Sequence, residues 1–397
     1  MGTPAYRRIG IALFLAGFST FSLIYSVQPL LPNLVETFGV TPSQSSLALS
    51  LSTGCLAFAI LCAGALGERF TRRGLMCASM IAAALLQIAC ALTTNWHLLL
   101  MLRALEGLAL GGVPAVAMAY LAEEIHPRSL GAAMGIYVGG TGVGGMMGRV
   151  GMGLVTEFSS WRVALGVLGV LGLLAAIGFV RLLPASRNFV PRRGMPLAQH
   201  RRAWLGHLAT PGLPLLFLTG FLTLGVQVAM FNYLTFRLAA APYDLSEGQI
   251  SAMFVVFLFG VAASTLAGSA ADRHGRGPVL IAGVVTIGLG VALTMASYLP
   301  LIVAGVVAVT IGFFVMHSVA SGWVGRMAEG SKGHASSLYL LAYYAGSSVL
   351  GTLGGLFWSA GQWPAVAGFV AVLLLIALAA ALRLAWSERA ARRRSAA

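Results

Sequence analysis

The sequence predicts an all-α membrane protein, with twelve transmembrane helices divided into two pseudo-symmetric bundles of six. Three observations predict it. First, 58% of the residues are hydrophobic and 9% charged, with a mean hydropathy of +0.88, too apolar for a surface that water must wet. Second, cutting the chain at charges, prolines and polar clusters leaves twelve apolar runs, each long enough to cross hydrocarbon. Third, the two halves of the chain repeat. The 50 glycines sit in long continuous runs rather than in alternating strands of about ten residues, which points to close helix packing and away from a barrel.

Taken in order, the first run is 9–34. It follows Tyr6-Arg7-Arg8 and has the outline of a leader, but its length, the lack of a small-x-small cleavage site and the spans after it predict an uncleaved helix. Runs 45–67, 75–94, 97–121, 129–156 and 161–183 complete an N-terminal bundle over residues 1–183. A polar linker, 184–210, carries Arg187, Arg192, Arg193, His200, Arg201 and Arg202. Runs 211–236, 248–270, 278–298, 300–325, 335–359 and 363–386 form a C-terminal bundle over 211–397, ending in a basic tail.

A net charge of +14 suggests a nucleic-acid partner until the 25 Lys and Arg are placed. With the N-terminus inside, all of them lie in inside loops or tails except Arg162 and Arg237, which fall outside, and Arg103 and Arg149, which fall within spans. That bias predicts both termini in the cytoplasm of a bacterial-type inner membrane. Anionic lipid then accounts for the basic tail without nucleic acid. Cys55, Cys62, Cys77 and Cys90 lie in two early spans without metal-ligand spacing, and read as small apolar residues. No cofactor is expected: Gly140-x-Gly142-x-x-Gly145 follows no strand, and neither a phosphate loop nor a nucleophile elbow occurs, so the chain does not read as an enzyme.

The repeat is clearest after the second and eighth spans. Gly64-Ala-Leu-Gly-Glu68-Arg69-Phe-Thr-Arg72-Arg73 is matched by Gly268-Ser-Ala-Ala-Asp272-Arg273-His-Gly275-Arg276, 204 residues later. Val27-Gln28 against Val226-Gln227, and Trp161 against Trp363, keep nearly the same offset. Repeated bundles of this kind pack about an axis normal to the membrane, with a binding site near the midplane. On these residues the chain resembles the major facilitator superfamily over essentially its whole length. The family's loop motif, G-x-x-x-D-R-x-G-R-R/K, is met nearly in full at Gly268 to Arg276. In the first copy Glu68 stands for the acid and Thr71 for the second glycine.

Within the membrane, Arg103 and Glu106 share a helix face, and Arg149 comes to a similar depth on the next span, where the three can meet. Charges in hydrocarbon persist only where they face protein or water, which makes the trio the default candidate site. Leu102-Arg103-Ala-Leu-Glu106-Gly107 also resembles the family's fourth-helix motif, with Glu106 in place of a glutamine. Glu106 is the one carboxylate placed inside a span, and reads either as a proton carrier or as an ionised strut between arginines. His317 is the second titratable candidate, or a packed histidine. The fifth span carries ten glycines, with Gly140, Gly144 and Gly148 spaced for close helix approach. That stretch resembles the exporters' G-x-x-x-G-P-x-x-G-G motif, with Gly145 for the proline and Arg149 for the last glycine, which suggests the acriflavine-sensitivity or sugar-efflux branches.

By resemblance, the first, fourth, seventh and tenth helices line the central cavity. Tyr25, Gln28, Arg103, Arg149, Gln227, Phe231, Asn232 and His317 lie on or near them, with Tyr339 and Tyr343 on one face of the eleventh. The expectation is a monomeric secondary transporter exporting a small organic molecule against protons. An importer or uniporter of an anionic metabolite, and a non-transporting receptor, are the alternatives.

Overall fold

The computed structural model describes residues 4–66, 70–186, 188, 196–328 and 331–396, and every regular element among them is helical. Helices satisfy all backbone hydrogen bonds internally, which hydrocarbon demands. The chain forms two compact units, Met1–Leu197 with Leu245–Phe254, and Ala198–Asp244 with Val255–Ala397.

In unit 1 the first apolar run is two helices rather than one: α1 (Pro4–Tyr25) and α2 (Leu31–Phe38). Pro29 cannot continue α1, and Pro32 suits the first turn of α2. α3 (Pro42–Leu66) and α4 (Arg72–Leu92) follow, then α5 (Trp96–Leu110) and α6 (Gly112–Glu124), one span interrupted at Gly111. α7 (Pro127–Phe158) and α8 (Trp161–Leu182) complete the N-terminal helices. Side-chain caps fix three of these starts: Thr71 accepts from Gly74 N, Asn95 from Leu98 N and Ser160 from Val163 N. Leu13, Met80, Val116, Tyr120 and Phe179 form the core of α1, α4, α6 and α8.

α1 and α7 approach backbone to backbone. A Cβ at Gly140 would stand 2.5 Å from the Phe14 carbonyl oxygen and one at Gly148 2.6 Å from Ser22 Cα, while Gly144 meets Phe18 more closely still. The other glycine row, Gly131, Gly135 and Gly139, faces open space. Packing against α1 therefore uses one of the two rows.

Unit 2 holds α9 (Leu197–Ala209) but for its first residue, and α10 (Leu213–Ala239). The eighth apolar run is α11 (Glu247–Ala252), a 3₁₀ turn (Met253–Val256) and α12 (Phe257–His274), the first part of which belongs to unit 1. α13 (Arg276–Leu293), α14 (Leu299–Met327) and α15 (Lys332–Ala396) follow.

By length and apolarity ten helical segments among the described residues qualify as spans, against the twelve runs of the sequence. The difference has two sources. α7 carries Arg128, Arg149 and Glu157 among its glycines and is not apolar enough. α15 joins the eleventh and twelfth runs across a break at Gly361 and Gln362, Gln362 lying at φ 51°. Pro364 stands just past that break, where it can open a new helix but not continue an old one.

Candidate functional site

The three intramembrane charges expected to meet are divided into two networks. Arg103 is wholly buried on α5. Its Nη1 pairs with Glu106 Oε2 at 2.6 Å, one turn on, and donates to Gln87 Oε1 at 3.2 Å. Nη2 donates to Ile24 O at 2.8 Å and Nε to Ala48 O at 3.1 Å. Because α1 stops at Tyr25, the carbonyls of its last turn lack helical partners, and the guanidinium supplies one while complementing the helix dipole. Gln87 Nε2 in turn donates to Ser26 Oγ at 3.1 Å, and Ser52 Oγ to Arg103 O at 2.9 Å. The result is a joint of α1, α3, α4 and α5. Among the described residues Glu106 pairs with Arg103 and not with Arg149, and its Oε1 is buried without a hydrogen-bond partner.

Arg149 reaches instead to the turn beyond α1. Its Nε donates to Gln28 Oε1 at 2.7 Å and its Nη1 to Gly145 O at 2.6 Å, and its guanidinium lies 4.1 Å from the Tyr25 ring centroid and 5.1 Å from that of Phe254. A cation between two aromatic faces is held electrostatically as well as by contact. Tyr25 and Gln28, expected at the site from the sequence, are thus Arg149's neighbours.

In unit 2 the candidates line up as rings. His317 on α14 meets Tyr339 OH through Nδ1 at 3.1 Å and lies 4.5 Å, centroid to centroid, from Tyr343. Phe313 stacks on His317, Phe314 stands edge-on to Phe313, Phe257 to Phe314, and Phe231 on α10 to Phe257. Gln227, one turn before Phe231, is 4% exposed, and neither of its amide atoms finds a partner among the described residues. Asn232, next to Phe231 in sequence, is fully buried.

The loop motifs resolve into caps and ties. Asp272 accepts from Arg326 Nη2 at 3.0 Å and Arg276 Nη2 at 3.5 Å, Gly275 takes φ 94°, and Arg273 and Gly268 lie at the exposed end of α12. The backbone N–H groups of Arg276 and Gly277 donate to Glu388, which covers the start of α13. In the first copy Gly64 lies near the end of α3, while Glu68 and Arg69 fall outside the described residues. Thr71, standing where the motif has glycine, caps α4; Arg73 Nη2 donates to Val180 O at 2.6 Å, and Arg72 pairs with Glu123 at 2.9 Å.

Sequence reading missed Gln87, Ser52, Phe254, Glu157 and Glu388. The last two are acids at the edge of a span facing a helix start, a pattern legible only once the partner helix is known. No group of three metal-ligating side chains occurs among the described residues. A largely apolar groove of about 410 Å³, lined by Phe58, Cys62, Phe70, Leu75 and Leu108 among others, contains none of the candidate residues.

A family model described as Major Facilitator Superfamily matches residues 12–241 and 216–397. The chain is 45% identical over 377 residues to the uncharacterized MFS-type transporter YybF of Bacillus subtilis, covering 95% of this chain and 93% of that one. It is 43% identical over 383 residues to the inner membrane transport protein YnfM of Escherichia coli, covering 96% and 92%. A chloramphenicol resistance protein of Streptomyces lividans is 29% identical over 71% of this chain and 70% of its own. In fold, a bacterial homologue of the human lysosomal transporter Spinster superposes with a TM-score of 0.81 over 97% of this chain and 98% of that one, at 15% identity. The chain therefore belongs to the Major Facilitator Superfamily and is a multi-pass secondary transporter of small molecules.

Proposed function

We propose that this transporter exports a small organic molecule across the inner membrane in exchange for protons, acting as a monomer with both termini in the cytoplasm. Halves 1–183 and 211–397 alternate access, with 184–210 as connector. The observation that carries the coupling role is the Oε1 of Glu106, fully buried inside a span with no hydrogen-bond partner among the described residues. A buried acceptor left open beside an arginine is a seat for a proton, and a neutral carboxyl there would weaken the Arg103 joint. Changing that joint biases the positions of four helices at once, which is the form a coupling free energy takes. The likeness to a chloramphenicol resistance protein supports efflux. In proteoliposomes under an imposed pH gradient, Glu106→Gln is expected to lose gradient-driven transport while keeping substrate-induced thermal stabilisation. Full gradient-driven transport by the variant removes Glu106 from the coupling role.

A second reading, import or uniport of an anionic metabolite, is favoured by Arg149. Arg103 is tied to a carboxylate and to carbonyls of two other helices, whereas Arg149 bonds to the Gln28 amide and the Gly145 carbonyl. Recognition of an acid is therefore assigned to the guanidinium between Tyr25 and Phe254, in exchange for its bonds to Gln28 and Gly145. Gln28, Gln227, Phe231, Asn232, His317, Tyr339 and Tyr343 then supply polar and aromatic contacts to the ligand. In transport assays Arg149→Lys is expected to raise KM for organic acids about tenfold or more and to spare neutral compounds. An equal loss for both counts against an acid as substrate.

A further inference from the structure

Helix α9 presents two different faces. Leu197, Leu205 and Leu208 are exposed, as are Arg201 and Arg202. His200 and His207, two turns apart and so on one face, are only 3% and 5% exposed. That buried face meets the short stretch that opens α15. His200 Nδ1 and His334 Nε2 lie 2.8 Å apart, the Trp204 ring stands edge-on to the His334 ring at 5.9 Å, and His207 Nε2 lies 3.1 Å from Ser331 O. Among the described residues, the side chains of α9 make their hydrogen bonds and ring contacts outside the helix with Ser331 and His334 alone. All of these groups belong to unit 2.

A contact between two imidazoles carries its own proton rule. The bond needs one ring nitrogen with a hydrogen and one with a lone pair, so at least one ring must be neutral. With one ring protonated or none, the contact between His200 and His334 stands; with both protonated, N–H faces N–H and two like charges meet at hydrogen-bond distance. Such a pair titrates as a unit, and an ordinary histidine changes charge at about pH 6.5. The closed contact also leaves His200 Nε2 and Trp204 Nε1 buried with no partner among the described residues. Both gain water when it opens, which keeps the contact weak enough for a proton to move.

The charged groups on the neighbouring elements add to the repulsion or are engaged elsewhere. On α9 Arg201 and Arg202 are exposed, and at the start of α15 so is Lys332. At the end of α14 Arg326 is bonded to Asp272. A Cβ at Gly212 would meet Met327 and Leu384, and on that later part of α15 Arg383 is exposed while Glu388 accepts from the start of α13. Glu329 lies outside the described residues. The histidines do not converge with other side chains into a set of three metal ligands among the described residues, so the pair is suited to protons rather than to a metal ion.

We propose that His200 and His334 are a proton-operated latch, which ties the connector helix α9 to the start of α15 and lets it go when the pair takes up a second proton. Release frees the chain from His200 to Gly212, ahead of α10. The latch is independent of the substrate, of the direction of transport and of Glu106. Under the proposed topology the connector is cytoplasmic, and so is the acid that the latch senses.

The test uses the purified full chain in lipid nanodiscs, with Cys55, Cys62, Cys77 and Cys90 replaced by alanine and spin labels at Leu205→Cys and Ser336→Cys, exposed positions on α9 and α15. Electron paramagnetic resonance distance distributions, taken from about pH 8 to about pH 5, read the ratio of latched to released forms. The released form binds one more proton, so falling pH is expected to move the ratio toward release by about tenfold or more over that range. His334→Gln is expected to stay latched throughout, because its amide donates to a neutral His200 and accepts from a protonated one. His334→Ala is expected to be released at every pH. His207→Gln, whose amide still donates to Ser331 O, keeps the response of the parent chain. A ratio that is flat with pH in the parent chain overturns the proposal, as does a response that persists in His334→Gln or that disappears in His207→Gln instead. Both labels lie in unit 2 and no substrate is present, so failure of the efflux reading leaves the outcome standing.

Discussion

Arg103 in unit 1 and Gln227 in unit 2 are buried almost equally, at 0% and 4% exposure, and the protein treats them in opposite ways. Around Arg103 it gathers a carboxylate, a glutamine and carbonyls from two other helices. Around Gln227 it supplies no partner among the described residues, and the neighbourhood is a run of aromatic rings. The reason is one of magnitude. An unpaired charge in a low-dielectric interior is so costly that the helices cannot come together without satisfying it, whereas an orphaned amide costs only about 1–3 kcal/mol. The charged joint is therefore fixed, and the aromatic wall is where contacts are left to be exchanged.

The largest test of that contrast is Arg103→Ala, which strands Glu106 in the membrane. It is expected to destabilise the purified protein by about 3–5 kcal/mol, read as a lowered thermal unfolding temperature in detergent. A loss below about 1 kcal/mol would mean that the joint is not structural. Next in size is Gly144→Ala, whose new methyl has no room against Phe18; an effect of about 1–3 kcal/mol is expected. Gly139→Ala, into open space, serves as its control and should be neutral or stabilising. Smallest, and opposite in sign, is Gln227→Leu. Removing an amide that has no partner among the described residues is expected to raise stability by about 1 kcal/mol while lowering transport; destabilisation would reveal a partner of the Gln227 amide and remove the contrast.

How much of this was legible in the sequence depends on the range of the signal. Long apolar runs and the repeated loop are local, and both survive in the structure as helices and as the ties of Asp272. The break after Tyr25 was written in Pro29 and Pro32, but Leu30, Leu31 and Leu34 carried the apolar run past it. That break decides the site, because it frees the carbonyl that Arg103 takes and positions Gln28 for Arg149. Equal depth along parallel helices suggested that Arg149 would join Glu106; depth alone does not fix which face a side chain leaves by, and α7 turns Arg149 toward Tyr25. Thr71 was read as a departure from a glycine motif and proves to be a helix cap, a role its hydroxyl announces by chemistry. The partners Gln87 and Ser52 lie 16 and 51 residues from Arg103, beyond the reach of any spacing rule.

The placement of Leu245–Phe254 also has a consequence for biosynthesis. A ribosome that has finished the N-terminal helices has not finished unit 1, because the face of Arg149, Gly153 and Glu157 receives its cover only when residues beyond 254 have emerged. An N-terminal half made alone leaves that face without its cover, with a glutamate at one end and an arginine at the other. A fragment that stops after the N-terminal helices is therefore expected to be less stable than the whole chain.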